Sequence, residues 1–175
     1  MKQLSFFNQE NSDSLSLTPK AITQWILYID GASRNNPGLA GAGICLMQNE
    51  KIICEQGFFL GVKTNNQAEY LALLLGLFFA SSYAKLGDHV RIVSDSQLLV
   101  RQMQGGYKVK DIILLELKRI AIDLMKPFHI EFVHVLRSEN KKADELANYG
   151  IDKKISPPKR FSDLLSTFHC TTITF

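Results

Sequence analysis

Four carboxylates stand at places in the sequence where several of them could meet and do chemistry together: Asp30, Glu69, Asp95 and Asp144. Taken singly, each could cap a turn or complement a helix N-terminus. Taken together, they would repel one another unless cations neutralised them. Oxygen-only ligands suit hard divalent cations, and Mg²⁺ in particular is held by a few carboxylates, waters and phosphate oxygens. Two such ions about 4 Å apart could hold a phosphodiester for in-line displacement at phosphorus.

The pattern of apolar residues predicts the elements that must position these acids. Three strand patterns come first, "ITQWILYID" and the two halves of "GAGICLMQNEKIICEQGFFLG", which a tight turn near Asn49 and Glu50 would join as a hairpin. A very apolar helix from Asn66 to Leu86 follows, then the strand "HVRIVSD" and the short helix "SQLLVRQMQGG". An amphipathic helix from Ile112 to Met125, the strand "FHIEFVHV" and the helix "NKKADELANYGID" complete the series. This order predicts an α/β fold in which helices pack on a mixed sheet that starts antiparallel and continues with crossover units.

Such an arrangement would bring two of the acids side by side. Asp30 and Asp95 each end an apolar strand pattern, and sites in open α/β sheets form at the carboxyl ends of strands. If the two strands are parallel neighbours, the two carboxylates stand together. Glu69 falls in the first turn of the apolar helix and Asp144 at the start of the last helix, so both could join them.

Length and composition restrict the protein to ordinary globular classes. With 175 residues, 46% of them apolar and 21% charged, the chain is expected to form one domain with a substantial core. The net charge of +3 is unevenly spread, because residues 101–160 hold thirteen Lys and Arg against eight Asp and Glu. This basic half is compatible with a polyanionic partner, although on charge alone a solvated surface is the simpler explanation.

The cysteines and the apolar runs indicate the cellular compartment in which we expect the protein. The three cysteines form no CxxC pair, and their odd number argues against a disulfide framework, so we expect a reducing, cytoplasmic compartment. The N-terminal stretch lacks the apolar core of a signal peptide. The run "LALLLGLFFA" is shorter than the roughly 20 residues of a membrane-spanning helix and predicts a helix buried in a protein core. We therefore expect no membrane partner.

Four motifs contain the four acids in order: "YIDGASRNNPG", "TNNQAEYLAL", "VSDSQLLVRQMQGGYKVK" and "RSENKKADELAN". With their flanking Asn and Gly residues they resemble the motifs of ribonuclease H type 1, over about residues 24–152. The resemblance implies a ribonuclease H-like fold, with a five-stranded mixed sheet of three antiparallel strands and then two parallel strands, flanked by helices. It also implies an enzyme that hydrolyses the RNA strand of RNA–DNA hybrids with two Mg²⁺ ions, which Mn²⁺ can replace, leaving 3′-hydroxyl and 5′-phosphate ends.

The resemblance assigns a role to each acid. Asp30, Glu69, Asp95 and Asp144 match the four metal-binding carboxylates of the family. By that match, Asp30 bridges both ions, and Asp144 helps to hold the ion that activates the attacking water. Glu69 and Asp95 serve the ion at the leaving 3′ oxygen.

Substrate recognition is implied for other residues of the same motifs. Asn36, Asn65 and Asn66 match family positions that contact the RNA strand in the minor groove, and Thr64 matches one that grips a phosphate of the DNA strand. Asn side chains donate and accept hydrogen bonds at once, as the sensing of 2′-hydroxyls requires. From the residues alone, plain turn chemistry would explain "NNPG" as well.

Several features depart from the best-known members of the family. Those members often carry an extra basic helix where this chain has only "GGYKVKD", so the chain resembles the shorter archaeal-like branch. The lysines that could partly replace that helix in holding the hybrid are Lys108, Lys110, Lys141 and Lys142. His134 precedes Asp144 by ten residues, but it lies in a strand pattern, so we expect an ordinary strand histidine rather than one that assists turnover.

We expect three segments along the chain. Residues 1–22 are polar and form a flexible leader, residues 23–153 form the ribonuclease H domain, and residues 154–175 form a C-terminal extension. In "RFSDLLSTF" apolar residues recur at spacings of three and four, which predicts a short helix docked on the core or on a second subunit. Oligomeric state stays open, with a monomer favoured. Two rival functions also stay open: a nucleic-acid-binding module on the same fold, and another nuclease of the superfamily that acts on a different duplex.

Overall fold

The computed structural model describes residues 24–170, 173 and 175, and the predicted leader over residues 1–22 lies outside them. The strands are β1 Gln24–Ser33, β2 Gly38–Gln48, β3 Lys51–Lys63, β4 His89–Ser94 and β5 His129–His134. The helices are α1 Asn65–Ala80, α2 Gln97–Met103, α3 Ile112–Met125, α4 Lys141–Lys153 and α5 Lys159–Thr167, with one 3₁₀ turn at Arg137–Glu139. From β1 to α4 the elements follow the predicted order.

The five strands form one mixed sheet in the spatial order β3-β2-β1-β4-β5. Strands β1, β2 and β3 pair antiparallel, whereas β4 pairs parallel with both β1 and β5. The predicted fold class is therefore confirmed. The hairpin between β2 and β3 turns at Asn49 and Glu50, which both have positive φ (49° and 64°), as the two-residue turn of a twisted hairpin requires.

Strand β1 differs from the prediction, because it does not end at Asp30. Its pairing with β4 runs only to Tyr28 and Val93, whereas its pairing with β2 continues to Ser33, opposite Ala40. The chain of β4 leaves the sheet and enters α2, so beyond Tyr28 the strand β1 has a strand neighbour on one side only. Asp30 thus lies inside a strand, at the point where the sheet splits.

Helix α1 lies at the centre of the core and is buried on nearly every side. It ends at Ala80 rather than at the predicted Leu86, and just beyond its end the Ser81 hydroxyl donates to the Phe78 carbonyl at 2.7 Å. Gly76 brings α1 against β1, since a Cβ there would meet a β1 side chain at 2.8 Å. Neither α1 nor any other helix in the described part of the chain is long and apolar enough to cross a membrane.

Helix α4 covers the opposite face of the sheet, and glycines let it come close. A Cβ on Gly43 of β2 would lie 2.0 Å from the Ala143 carbonyl oxygen, and one on Gly57 of β3 would lie 2.0 Å from that of Leu146. Both contacts are too short for any side chain, so the backbone of α4 rests directly on the backbone of the sheet. This close packing fixes the distance from the sheet and the direction of the first turn of α4, which carries Asp144.

The C-terminal extension packs on the core along its described part. Phe161 and Leu165 on α5 are buried, and the Phe161 ring meets the Phe78 ring of α1 edge-on at 5.6 Å. Before α5, the Ile155 carbonyl accepts a hydrogen bond from Phe59 N–H at 2.6 Å, on the edge strand β3. The extension therefore contacts both the edge of the sheet and the central helix.

Candidate active site

Asp30 and Asp95 meet where β1 and β4 diverge, as the pattern of two parallel strands predicts. Burial first, and then the negative charges of Asp95 and Asp144, raise the pKa of Asp30 to about 7. A hydrogen bond with the Asp95 side chain adds to this rise. The positive charge of Arg137 opposes the rise without cancelling it.

Glu69 reaches the same place from α1. Gly31 makes the approach possible, since a Cβ there would lie 2.1 Å from the Glu69 backbone nitrogen. The Gly31 N–H donates to the Glu69 carboxylate at 3.1 Å, and the Ser96 side chain is also hydrogen-bonded to it. Burial, followed by the charges of Asp30 and Asp95, raises the pKa of Glu69 well above its usual range, although the two hydrogen bonds oppose the shift.

Asp144 approaches from α4, where it is paired with a cation. The Arg137 guanidinium donates to Asp144 Oδ1 at 2.5 Å, and the pKa of Arg137 is raised by that bond and by the charges of all three nearby aspartates. The Arg137 side chain is 77% exposed, so it stands at the mouth of the acid cluster as an internal counter-charge. Arg137 was not among the predicted site residues. His134, which was considered, is an exposed residue at the end of β5.

Asn140 joins three parts of the site and was also not predicted. Its side chain is buried, and Nδ2 donates to the Ile29 carbonyl at 2.9 Å and to Asp95 Oδ1 at 2.8 Å. Its own carbonyl accepts a hydrogen bond from Asp144 N–H at 3.2 Å. The residue thus connects β1, Asp95 and the first turn of α4. The signal in the sequence is its place just before the last helix, where Asn is a common N-cap.

An open cleft of about 470 Å³ lies at this split in the sheet, and its charged lining includes Asp30, Glu69, Asp95 and Arg137. Within the described residues, no three His, Cys, Asp or Glu side chains already form a complete set for a metal ion. In this arrangement the Glu69 carboxylate accepts a hydrogen bond from Gly31 N–H, and Asp144 is paired with Arg137. The donor set fits hard divalent cations, because it offers only oxygen ligands and a cation would offset the burial and negative charge that raise the pKa of Asp30 and of Glu69.

The residues predicted to bind substrate form one surface beside this cleft. Asn36 Oδ1 accepts a hydrogen bond from Asn65 N–H at 2.9 Å, which ties the β1–β2 loop to the start of α1. Thr64 is the N-cap of α1, and its hydroxyl accepts from Gln67 N–H at 3.2 Å. Asn65 lines the cleft, and Asn66 is exposed next to it. Asn36 and Thr64 therefore also have local structural roles, as their turn chemistry allows.

The four lysines predicted to hold a hybrid are not equivalent. Lys142 pairs with Glu55 of β3 at 2.9 Å and so fastens α4 to the sheet. Lys141 is exposed at the start of α4, and Lys108 and Lys110 are exposed in the link between α2 and α3. That link contains no further helix, in agreement with the predicted absence of the extra basic helix.

Comparison with known proteins agrees with this fold. The family model described as "Reverse transcriptase-like" matches residues 28–150. Ribonuclease HI of Halobacterium salinarum is 39% identical over 127 residues, which cover 71% of this chain and 63% of that protein. The crystal structure of RNase H1 from that organism superposes with a TM-score of 0.70 at 37% identity, covering 74% of this chain and 98% of that one. LC11-RNase H1, which was isolated from compost, superposes in its RNA/DNA hybrid complex with a TM-score of 0.71 at 38% identity, over 74% and 97% of the two chains.

A five-stranded mixed sheet with carboxylates gathered at its split defines a ribonuclease H-like protein. With the identities and coverage of these relatives, the chain belongs to the type 1 ribonuclease H family. It spans less than two thirds of the length of the curated Halobacterium relative.

Proposed function

We propose that this protein is an endoribonuclease that hydrolyses the RNA strand of RNA–DNA hybrids. The observation that carries the proposal is that Asp30, Glu69 and Asp95 line one cleft, with Asp144 near enough for its charge to act on Asp30. Burial and the neighbouring negative charges raise the pKa of Asp30 and of Glu69. The relative LC11-RNase H1 was solved in complex with an RNA/DNA hybrid, and this supports a hybrid as the substrate.

We propose further that the four acids hold two Mg²⁺ ions, with Mn²⁺ able to replace them. When bound, such ions neutralise the clustered carboxylates, activate a water and stabilise the charge that develops on the leaving oxygen. For its part, the chain must release the proton that Asp30, with its raised pKa, retains near neutral pH. It must also free Asp144, and the exposed position of Arg137 gives that guanidinium room to move aside.

The proposed reaction is an in-line displacement at phosphorus. The oxygen of a water forms a bond to phosphorus while the bond from phosphorus to the ribose O3′ breaks. The attacking water loses one proton, and O3′ leaves with the bonding electron pair and takes up one proton. The products therefore end in a 3′-hydroxyl and a 5′-phosphate. Asn140 keeps Asp95 in place, and Gly31 and Ser96 keep Glu69 in place, so the acids are oriented before substrate arrives.

For recognition, we propose that Asn36, Asn65 and Asn66 contact 2′-hydroxyls of the RNA strand and that Thr64 contacts a phosphate of the DNA strand. The hydrogen bond between Asn36 and Asn65 sets the two segments in a fixed relation beside the cleft. Exposed Lys108, Lys110 and Lys141 add a salt-sensitive attraction to phosphates.

Two rival functions are separated from this one by a single assay. Cleavage of an RNA–DNA hybrid, duplex RNA and duplex DNA is followed in Mg²⁺, in Mn²⁺ and in excess EDTA. We expect cleavage of RNA in the hybrid alone, with either metal and not with EDTA. Faster cleavage of another duplex would favour a different nuclease of the superfamily, and binding of the hybrid without cleavage in either metal would favour a nucleic-acid-binding module.

We propose the following organisation for the whole chain. Residues 23–153 form the ribonuclease H domain, residues 154–175 form an extension docked on it, and residues 1–22 precede both. The hydrogen bond from Phe59 to Ile155 and the burial of Phe161 support the docking. The three cysteines are buried, and none of them forms a disulfide within the described residues, which supports a reducing, cytoplasmic location; we propose a monomer as the working state.

A further inference from the structure

Helix α3 carries a row of apolar side chains on the face that points away from the core. Leu115 and Ile122 lie two helical turns apart on the same side and are 46% and 45% exposed, and Ile112 at the helix start is 81% exposed. The opposite face, with Leu114 and Leu117, is buried in the core. Exposed Leu and Ile are ordinary when single, but a row of them marks a surface that contacts something besides water.

The link between α2 and α3 turns this row into a groove. Tyr107 and Val109 stand across from Leu115 and Ile122, and the space between them measures about 510 Å³. We call this space the α3 groove; its apolar side chains are Tyr107, Val109, Leu115 and Ile122, and its charged side chains are Lys108, Lys118, Arg119 and Asp123. The residues that line it and those that line the acid cleft do not overlap, so the two sites are separate.

The rim of the α3 groove is basic. Lys108, Lys118 and Arg119 stand on it, and the last two are held in place by backbone carbonyls, at 2.6 and 3.0 Å. The one acid that lines the groove, Asp123, is paired with Lys126 at 2.5 Å and so does not cancel the charge of the rim. The groove therefore combines apolar walls with a positive edge.

We propose that the α3 groove binds a short, acidic, amphipathic segment of a partner protein. Apolar side chains of the segment would pack between Tyr107 and the α3 row, and its Asp and Glu residues would face Lys118 and Arg119. A nucleic-acid strand fits these walls less well, because nucleic-acid interfaces are polar and the groove is walled by Leu, Ile, Val and Tyr side chains. The binding does not depend on the nuclease reaction.

The test uses the full chain and a fluorescein-labelled 14-residue peptide, with Leu at helical spacings along one face and Glu elsewhere, followed by fluorescence anisotropy. We expect saturable binding that weakens as salt is raised, because the rim charges become screened. The double variant Leu115→Ser/Ile122→Ser should bind at least about tenfold more weakly. The matched control Ile52→Ser removes an equally exposed apolar residue from β3 and should leave the affinity unchanged.

The charge of the partner is tested by a second peptide with Lys in place of Glu, which should not bind. Amide shifts in the wild-type protein during titration with the acidic peptide should concentrate in residues 105–123, and this measurement does not rely on a variant folding. Equal binding of the two peptides, unchanged affinity of the double variant, or shifts centred elsewhere would overturn the proposal. Amide shifts centred on Leu115 and Ile122 during titration with a short RNA–DNA hybrid would also overturn it, because the apolar walls of the groove would then bind nucleic acid.

Discussion

At Asp30, burial and the neighbouring negative charges both disfavour the ionised carboxylate. Its carboxyl is 6% exposed and bonded to Asp95, and its pKa is raised from 3.8 to about 7. A raised pKa means that the folded protein holds this proton more tightly than the unfolded chain does. The free energy of unfolding of the metal-free protein therefore falls as the pH rises from about 4 to about 7. The acid cluster reduces stability at neutral pH, and bound cations would restore it.

Replacing Asp30 directly tests whether the acid cluster lowers stability at neutral pH. At pH 8 in EDTA we expect Asp30→Asn to melt about 5 °C above wild type, because a buried like charge has been removed. At pH 4 the gain should nearly vanish, since the wild-type carboxyl is then neutral as well. Mg²⁺ should raise the melting temperature of wild type and have little effect on the variant. A melting temperature below that of wild type at pH 8 would assign Asp30 a structural role instead.

Asn140 acts through its neighbours, as a positioning residue. Asn140→Ala removes a hydrogen-bond donor from the Ile29 carbonyl and from the Asp95 carboxylate, so we expect a loss of about 2–3 kcal/mol in the free energy of unfolding. Turnover should fall about 10- to 100-fold while KM for the hybrid stays nearly constant, because the acids move and the binding surface does not. Steady-state kinetics with chemical denaturation measures both. A rise in KM at unchanged kcat would show that Asn140 serves binding instead.

At the scale of the elements, the position of the site depends on how closely α4 lies on the sheet. Gly43→Ala would place a methyl group 2.0 Å from the Ala143 carbonyl oxygen, next to Asp144 in the chain. We expect a destabilisation of about 2–4 kcal/mol and a weaker response of the melting temperature to Mg²⁺, because α4 must lift. Gly106→Ala is the matched control, since the nearest atom would lie at an ordinary 3.5 Å. Equal melting temperatures for the two variants would mean that α4 does not pack directly on the backbone of the sheet.

Helix α5 is the other element whose contribution to stability can be measured by a single substitution. Phe161→Ala empties a fully buried position beside Phe78, so we expect a loss of about 3–4 kcal/mol and a melting temperature lower by roughly 10 °C. Lys159→Ala removes only an exposed ion pair with Asp163 and should shift the melting temperature by about 1 °C or less. If Phe161→Ala lowered the melting temperature no more than Lys159→Ala does, the extension would not be docked in solution.

For the whole molecule, the order of elements from β1 to α4 follows from the periodicity of apolar residues alone. The meeting of Asp30 and Asp95 is also predictable, because the carboxyl ends of neighbouring parallel strands lie at one edge of a sheet. The extent of α1 is not, since "SSYAKL" contains no strong helix breaker and the helix nevertheless ends at Ala80. The continuation of β1 beyond Asp30 is equally hidden, because it depends on which neighbouring strand leaves the sheet first.

The contacts that complete the site could not be predicted from local pattern. Asn140 reaches the Ile29 carbonyl across 111 residues, and it does so only because α4 is seated on the glycines of β2 and β3. Arg137 meets Asp144 because one 3₁₀ turn precedes α4 and aims the guanidinium at the acid cluster. Sequence motifs identify the acids, whereas packing determines which partners hold them in place.

The central claim is that the clustered acids perform metal-dependent hydrolysis of RNA paired with DNA. The most direct test is single-turnover cleavage of one short hybrid, labelled on either strand, by wild type and by Asp95→Asn. In Mg²⁺ we expect wild type to cut the RNA strand alone, to leave 3′-hydroxyl and 5′-phosphate ends, and to stop in excess EDTA. Asp95→Asn should still bind the hybrid but cleave it about a thousandfold more slowly, because a metal ligand contributes several kcal/mol to the transition state. Robust cleavage in EDTA, or a variant as active as wild type, would contradict the account.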